Sequence, residues 1–142
     1  MSGLLRSAAR GVLGAMAMTG IRRVTTDLGL VQQPPPERIA EDIPGFFTRV
    51  FPKRHETAIE LFHWSVGAVG GMGFAVFPAT LRRRPWAGPM YGLAILGVFE
   101  AAIAPGLGIG AKERTLSERV ALAADHVLYG LVLSDKAEDG SN

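Results

Sequence analysis

Five side chains stand out because they are ionisable and lie within otherwise apolar stretches: Glu60, His63, Glu100, Asp125 and His126. An ionisable group among apolar neighbours is costly to keep, so it needs a partner or a task. Carboxylates and imidazoles at such positions can hand protons from one to the next. Glu60-Leu-Phe-His63 also has the Glu-x-x-His spacing that carboxylate di-iron bundles use, with both side chains on one helix face. The chain has no second Glu-x-x-His, so half of that ligand set is missing. His63 and His126, on separate helices, could instead be axial ligands of a haem. The absence of cysteine removes disulfides and thiolate metal sites. None of these patterns is a catalytic signature. The chain reads as a non-enzyme rather than an enzyme, and no cofactor or metal is assigned to it.

Each position also has a plain structural reading. Thr57-Ala-Ile-Glu60 matches a capping box, which would occupy Glu60 at a helix start. His63 and Trp64 can snorkel to a membrane interface. Asp125 can pair with Arg119 or Tyr129, and His126 can bond a backbone carbonyl. Glu100 has no cap or helix end nearby to explain it. It is expected either protonated and hydrogen-bonded to a neighbouring helix, or paired with His63, His126 or Arg22.

The elements that must hold these groups follow from where charge is absent. Of 15 Lys and Arg and 13 Asp and Glu, only Glu60, Glu100 and Asp125 fall within 58–81, 86–106 and 120–134. A soluble bundle keeps one wet face on every helix and would scatter its charges along all of them. Long segments that are apolar or small on all faces belong to helices surrounded by lipid or by other helices. The 18 glycines agree. Glycine inside a soluble helix costs about 1 kcal/mol against alanine, whereas membrane helices use it for close approach. The net charge of +2 gives no ground for nucleic-acid binding.

The chain therefore reads as all-α: one domain over 1–142, a polytopic membrane bundle of about four helices at 4–21, 58–81, 86–106 and 116–133. In the first, Ser7, Gly11, Ala15 and Thr19 recur every four residues as a packing stripe, and Arg22 and Arg23 close the helix. A signal-peptide reading of this stretch is disfavoured because it lacks a leucine-rich core. The connection 22–57 contains the breaker Gln32-Gln33-Pro34-Pro35-Pro36 and a short helix from Pro36. It then carries Phe46, Phe47, Val50 and Phe51 interleaved with Arg49, Lys53 and Arg54, a pattern suited to the headgroup layer or to an ordinary packed loop. In the second helix Gly67 and Gly71 form a GxxxG, and Pro78 is placed to kink the far end. In the third, Gly88 and Gly92 form another. A Gly-rich turn over 106–114 leads to Thr115-Leu-Ser-Glu118, a second capping-box match. The tail 134–142 is polar.

Alternating helix directions put the ionisable groups in one half of the bilayer. Counted from the long-loop side, His63 is roughly 8 Å deep, Glu100 roughly 9 Å, and Asp125 and His126 roughly 12–14 Å. Orientation is contested within the sequence. Arg6, Arg10 and the turn of Arg82, Arg83 and Arg84 favour termini on the cytoplasmic side. The six Lys and Arg of the first connection favour the reverse. The dense short turn is the harder to translocate, which tips the expectation to termini inside.

Gly11-Val-Leu-Gly14-Ala-Met-Ala-Met-Thr19, the Pro34-Pro35-Pro36 loop and His126-Val-Leu-Tyr129-Gly130 together resemble small four-helix bacterial inner-membrane proteins of the YagU-like kind. These residues are 17 of the 142. The resemblance implies a multi-pass protein of the bacterial cytoplasmic membrane and brings no catalytic residues. Three functions remain open: a structural or interaction protein partnered by lipid, a second copy or another membrane protein; a transporter or proton-relay component using Glu100, His63, Asp125 and His126; and a haem- or metal-binding redox protein.

Overall fold

A computed structural model describes residues 2–29, 55–106 and 115–134. All elements among them are helical. They are α1 (Ser2–Asp27), α2 (His55–Ala75), a short α3 (Ala79–Arg82), α4 (Ala87–Val98), a π-helical turn (Phe99–Ile103), α5 (Ala104–Gly106) and α6 (Leu116–Leu133). Phe99 and Ala104 keep right-handed helical angles at the junctions, so 87–106 is one helical rod with a π turn set into it. Thr115 starts α6 with a complete capping box: its hydroxyl accepts from the Glu118 amide while the Glu118 carboxylate accepts from the Thr115 amide.

Glycine decides how the helices pair. On α1, Gly11 lies against the backbone of Gly67 and Gly71, and Gly71 against that of Ser7, which runs α1 antiparallel to α2 with their backbones in contact. On the other side of the bundle Gly88 meets Gly130, and Gly92 meets the His126 carbonyl, pairing α4 antiparallel to α6 in the same manner. The two pairs are joined through Tyr129. Its ring packs where Gly14 has no side chain, and its hydroxyl donates to the Gly67 carbonyl at 2.6 Å. Tyr91 adds a second link by donating to the Gly70 carbonyl at 2.8 Å, with its ring tilted against Phe74 and edge-on to Phe77. Met18, Phe74, Ala87, Tyr129 and Leu133 form the core.

Several expected boundaries move. The first helix continues to Asp27 rather than stopping at Ile21, so Arg22 and Arg23 lie within its last turns. The second begins at His55, which places Thr57 inside the helix; Glu60 is then free of capping and pairs with Arg23 instead. It ends at Ala75, and Pro78 precedes α3 rather than kinking a longer helix, because its ring cannot continue the backbone ladder. The Pro34-Pro35-Pro36 segment, the aromatic and basic stretch 46–54, most of the 106–114 turn and the tail lie outside the described residues.

No helix among the described residues is long and apolar enough to cross a membrane. Helix α1 carries Arg6, Arg10, Arg22 and Arg23, α6 carries Glu118, Arg119 and Asp125, and α4 itself spans only 12 residues before the π turn. Large apolar side chains are nonetheless exposed on all four long helical segments, Leu5, Leu13, Val69, Val98, Val120 and Leu131 among them.

Candidate functional site

The site is built from the inside of α1. The buried residues of that helix are Ser7, Gly11, Gly14, Ala15, Met18 and Arg22, a stripe at three- and four-residue steps. The period of 3.6 therefore carries Arg22 onto the same inward face as the small residues. There its guanidinium faces Asp125 of α6 across 3.6 Å, with the two side chains 9% and 7% exposed. Arg23, one step round the helix, points outward and meets the Glu60 carboxylate of α2 at a largely exposed position.

Three further groups surround the buried pair. His63 of α2 lies within electrostatic reach of Arg22 and His126. His126 of α6 lies within reach of Arg22 and of Glu100. Its Nδ1 bonds the Leu122 carbonyl at 2.8 Å, which fixes the ring and turns Nε2 away from its own helix. Glu100 sits in the π turn, where the widened helix pitch breaks the register of the rod. Arg22, His63, Glu100, Asp125 and His126 thus come together from all four long segments. Glu60 stands apart on the exposed rim with Arg23.

Two polar atoms beside this cluster are buried with no hydrogen-bond partner: Nε2 of His63 and Nε1 of Trp64. Buried polar atoms without partners are rare in folded proteins and mark strain or a functional position. Trp64 is not at a helix end, since α2 starts nine residues before it. The earlier start also deepens His63 to roughly 12 Å along the helix, close to the level of Asp125 at roughly 14 Å, both at about 1.5 Å rise per residue. Among the described residues no group of three or more His, Asp or Glu side chains is arranged to hold a metal ion. Glu60 and His63 diverge, one to Arg23 and one to the interior, which is unlike the shared ligation of a di-iron pair.

The expected partners of Asp125 are replaced. Arg119 lies outward on α6, and the Tyr129 hydroxyl is committed to the Gly67 carbonyl, leaving Arg22 as the cation opposite the carboxylate. Spacing on α1 contained the signal for this, since Arg22 continues the small-residue stripe by one turn. Reading Arg22-Arg23 as a terminal pair obscured it.

Tyr129 ties this cluster to the glycine seam one turn away. Tyr129→Phe removes a buried hydrogen bond between α6 and α2 without changing ring packing. It is expected to lower stability by about 1 kcal/mol, read as a lower midpoint in thermal unfolding followed by circular dichroism. An unchanged midpoint would mean that the hydroxyl contributes nothing to joining the two helix pairs.

The chain matches no known protein family, no curated protein and no solved structure.

Proposed function

We propose that this chain is a multi-pass membrane protein of structural or interaction type, a glycine-packed helical bundle in a bacterial cytoplasmic membrane. One observation carries the reading. Among the described residues 22 large hydrophobic side chains are exposed and 10 hydrophobic residues are buried, while the charged pair Arg22 and Asp125 is buried. Water-soluble bundles place their charges outside and keep exposed apolar patches small. The arrangement suits lipid outside and a polar cluster inside. The rod 87–106, its π turn included, has a suitable length: 20 residues at about 1.5 Å each give roughly 30 Å, the thickness of a hydrocarbon core. Backbone-to-backbone glycine contacts are the means by which membrane helices associate when lipid offers no hydrophobic drive. The YagU-like resemblance carries the same location. The partner is lipid together with a second copy or another membrane protein.

Alkaline carbonate washing and flotation with vesicles test the location. The protein is expected to stay with the membrane and to float. Recovery in the supernatant as a monodisperse species without detergent would end the reading.

A second reading, a proton relay, is favoured by one further observation: His63 Nε2 is buried without a hydrogen-bond partner within electrostatic reach of Arg22 and His126, which in turn reach Asp125 and Glu100. An imidazole nitrogen with an open coordination partner can accept and return a proton. Proton flux into liposomes separates the two readings. A relay shows flux that is lost in Glu100→Gln and His63→Asn, whereas a structural bundle shows none in the parent protein.

A further inference from the structure

We propose that the end of the bundle bearing Arg6, Arg10, Arg82, Arg83 and Arg84 is a docking face for anionic phospholipid headgroups. This rests on the membrane reading and adds to it a lipid class and a side.

The argument begins with how charge divides along the helices. The antiparallel pairing brings the start of α1, the end of α2, the α3 turn and the end of α6 to one end of the bundle. All five arginines lie there. Every acidic residue whose side chain is described (Asp27, Glu60, Glu100, Glu118 and Asp125) lies in the opposite half. In sequence the raw count of Lys and Arg favours the opposite half, whose first connection carries six, Arg22 and Arg23 among them. The structure removes both from that count: Arg22 faces Asp125 in the interior and Arg23 faces Glu60. Among the residues whose side chains are described, that half then holds three cations (Arg22, Arg23 and Arg119) against five acids, and the other half five cations and no acid.

The shape of the α3 turn suits a headgroup layer. Arg82 donates from Nε to the Phe77 carbonyl, which holds the turn, and Arg83 and Arg84 are exposed beyond it. Exposed apolar side chains flank the cations: Val76 at 80%, Phe77 at 42% and Trp86 at 55%. Aromatic and apolar groups directly beside arginines are the composition of an interfacial belt, with rings at the acyl boundary and guanidinium groups at phosphates. Arginine forks pair bidentately with phosphate oxygens. Anionic lipid and positively charged connections both belong to the cytoplasmic side, so this face looks inward in the cell.

The sequence supplies one rival occupant. Residues 135–139 follow α6 and contain Asp135, Glu138 and Asp139 with Lys136, so this acidic stretch could cover the arginines in place of lipid.

The test uses the full chain in vesicles, with spin-labelled phosphatidylglycerol and spin-labelled phosphatidylcholine as probes. Phosphatidylglycerol is expected to associate about three- to fivefold more strongly at low salt, with the preference collapsing near about 0.5 M salt. Arg82→Gln with Arg83→Gln and Arg84→Gln is expected to bring the ratio close to one, and the milder Arg83→Gln with Arg84→Gln to lower it. Arg119→Gln, at the far end, should leave it unchanged. Equal association of the two lipids in the parent chain, or a preference that survives the triple substitution, overturns the proposal. So does a preference that emerges only after removal of 135–142, which assigns the face to the tail. A chain that fails to float with phosphatidylcholine and phosphatidylglycerol vesicles alike refutes the membrane reading itself, a different result from floating without lipid preference.

Discussion

Gly92→Ala is expected to destabilise the bundle by about 3 kcal/mol, the upper end of what overpacking costs. The added methyl would fall on the His126 carbonyl oxygen, well inside van der Waals contact, with the Gly130 amide nitrogen 3.3 Å away. A flexible side chain could swing aside at little cost, but a backbone carbonyl inside α6 cannot. Relief requires α4 and α6 to separate, which also disturbs Gly88 against Gly130 one turn on. Gly97→Ala supplies the contrast within the same helix. Nothing lies within 4 Å of a methyl there, and alanine in a helix interior is favoured over glycine by roughly 1 kcal/mol. Unfolding in detergent, followed by circular dichroism, is therefore expected to show a much lower Tm for Gly92→Ala and an equal or higher one for Gly97→Ala. Similar Tm values for the two would mean that the α4–α6 backbones do not touch at this seam.

The second large effect is at the buried ion pair. Asp125→Leu leaves the Arg22 guanidinium buried opposite a hydrocarbon, at an expected cost of about 3–5 kcal/mol. Arg22→Met together with Asp125→Leu removes both charges and keeps the volume, and such replacements are often neutral or stabilising. The double variant is thus expected to recover most of the loss. A double variant as unstable as the single one would show that the two residues act independently. Arg23→Ala marks the scale for an exposed pair. With Arg23 71% and Glu60 32% exposed, its loss is expected to cost no more than about 1 kcal/mol. The recovered double variant has a further use: if the interior cluster serves only to hold the bundle, it should be fully functional, while a proton relay would be disabled despite restored stability.

The all-helical architecture was legible from the segregation of charge and from the punctuation by glycine and proline. The start of the last helix was legible too, because Thr115 and Glu118 satisfy each other's backbone donors locally. Helix ends governed by distant contacts were not. The first helix runs on to Asp27 because Arg22 and Arg23 find carboxylates on other helices, which no local rule announces. The match of Thr57 and Glu60 to a capping box misled for the same reason: the pattern is local, while Glu60 answers to a cation 37 residues away. The π turn at Glu100 has no signature in the residue types around it.

What the sequence by itself determined is which residues are unusual: ionisable groups in apolar segments, glycines at four-residue steps, and arginines packed into one short turn. These follow from composition and period, properties that a chain carries before it folds. Tertiary structure alone decided the partners. It opposed Gly92 to a carbonyl, turned Arg22 rather than Arg119 toward Asp125, gathered His63, His126 and Glu100 around that pair, and placed every described acidic side chain in the half away from Arg6, Arg10 and the Arg82–Arg84 turn. Spacing along a helix fixes the face a residue occupies, but what stands opposite that face depends on the direction and register of another helix. Here that register is set by contacts between glycine backbones, where there is no side chain to signal it.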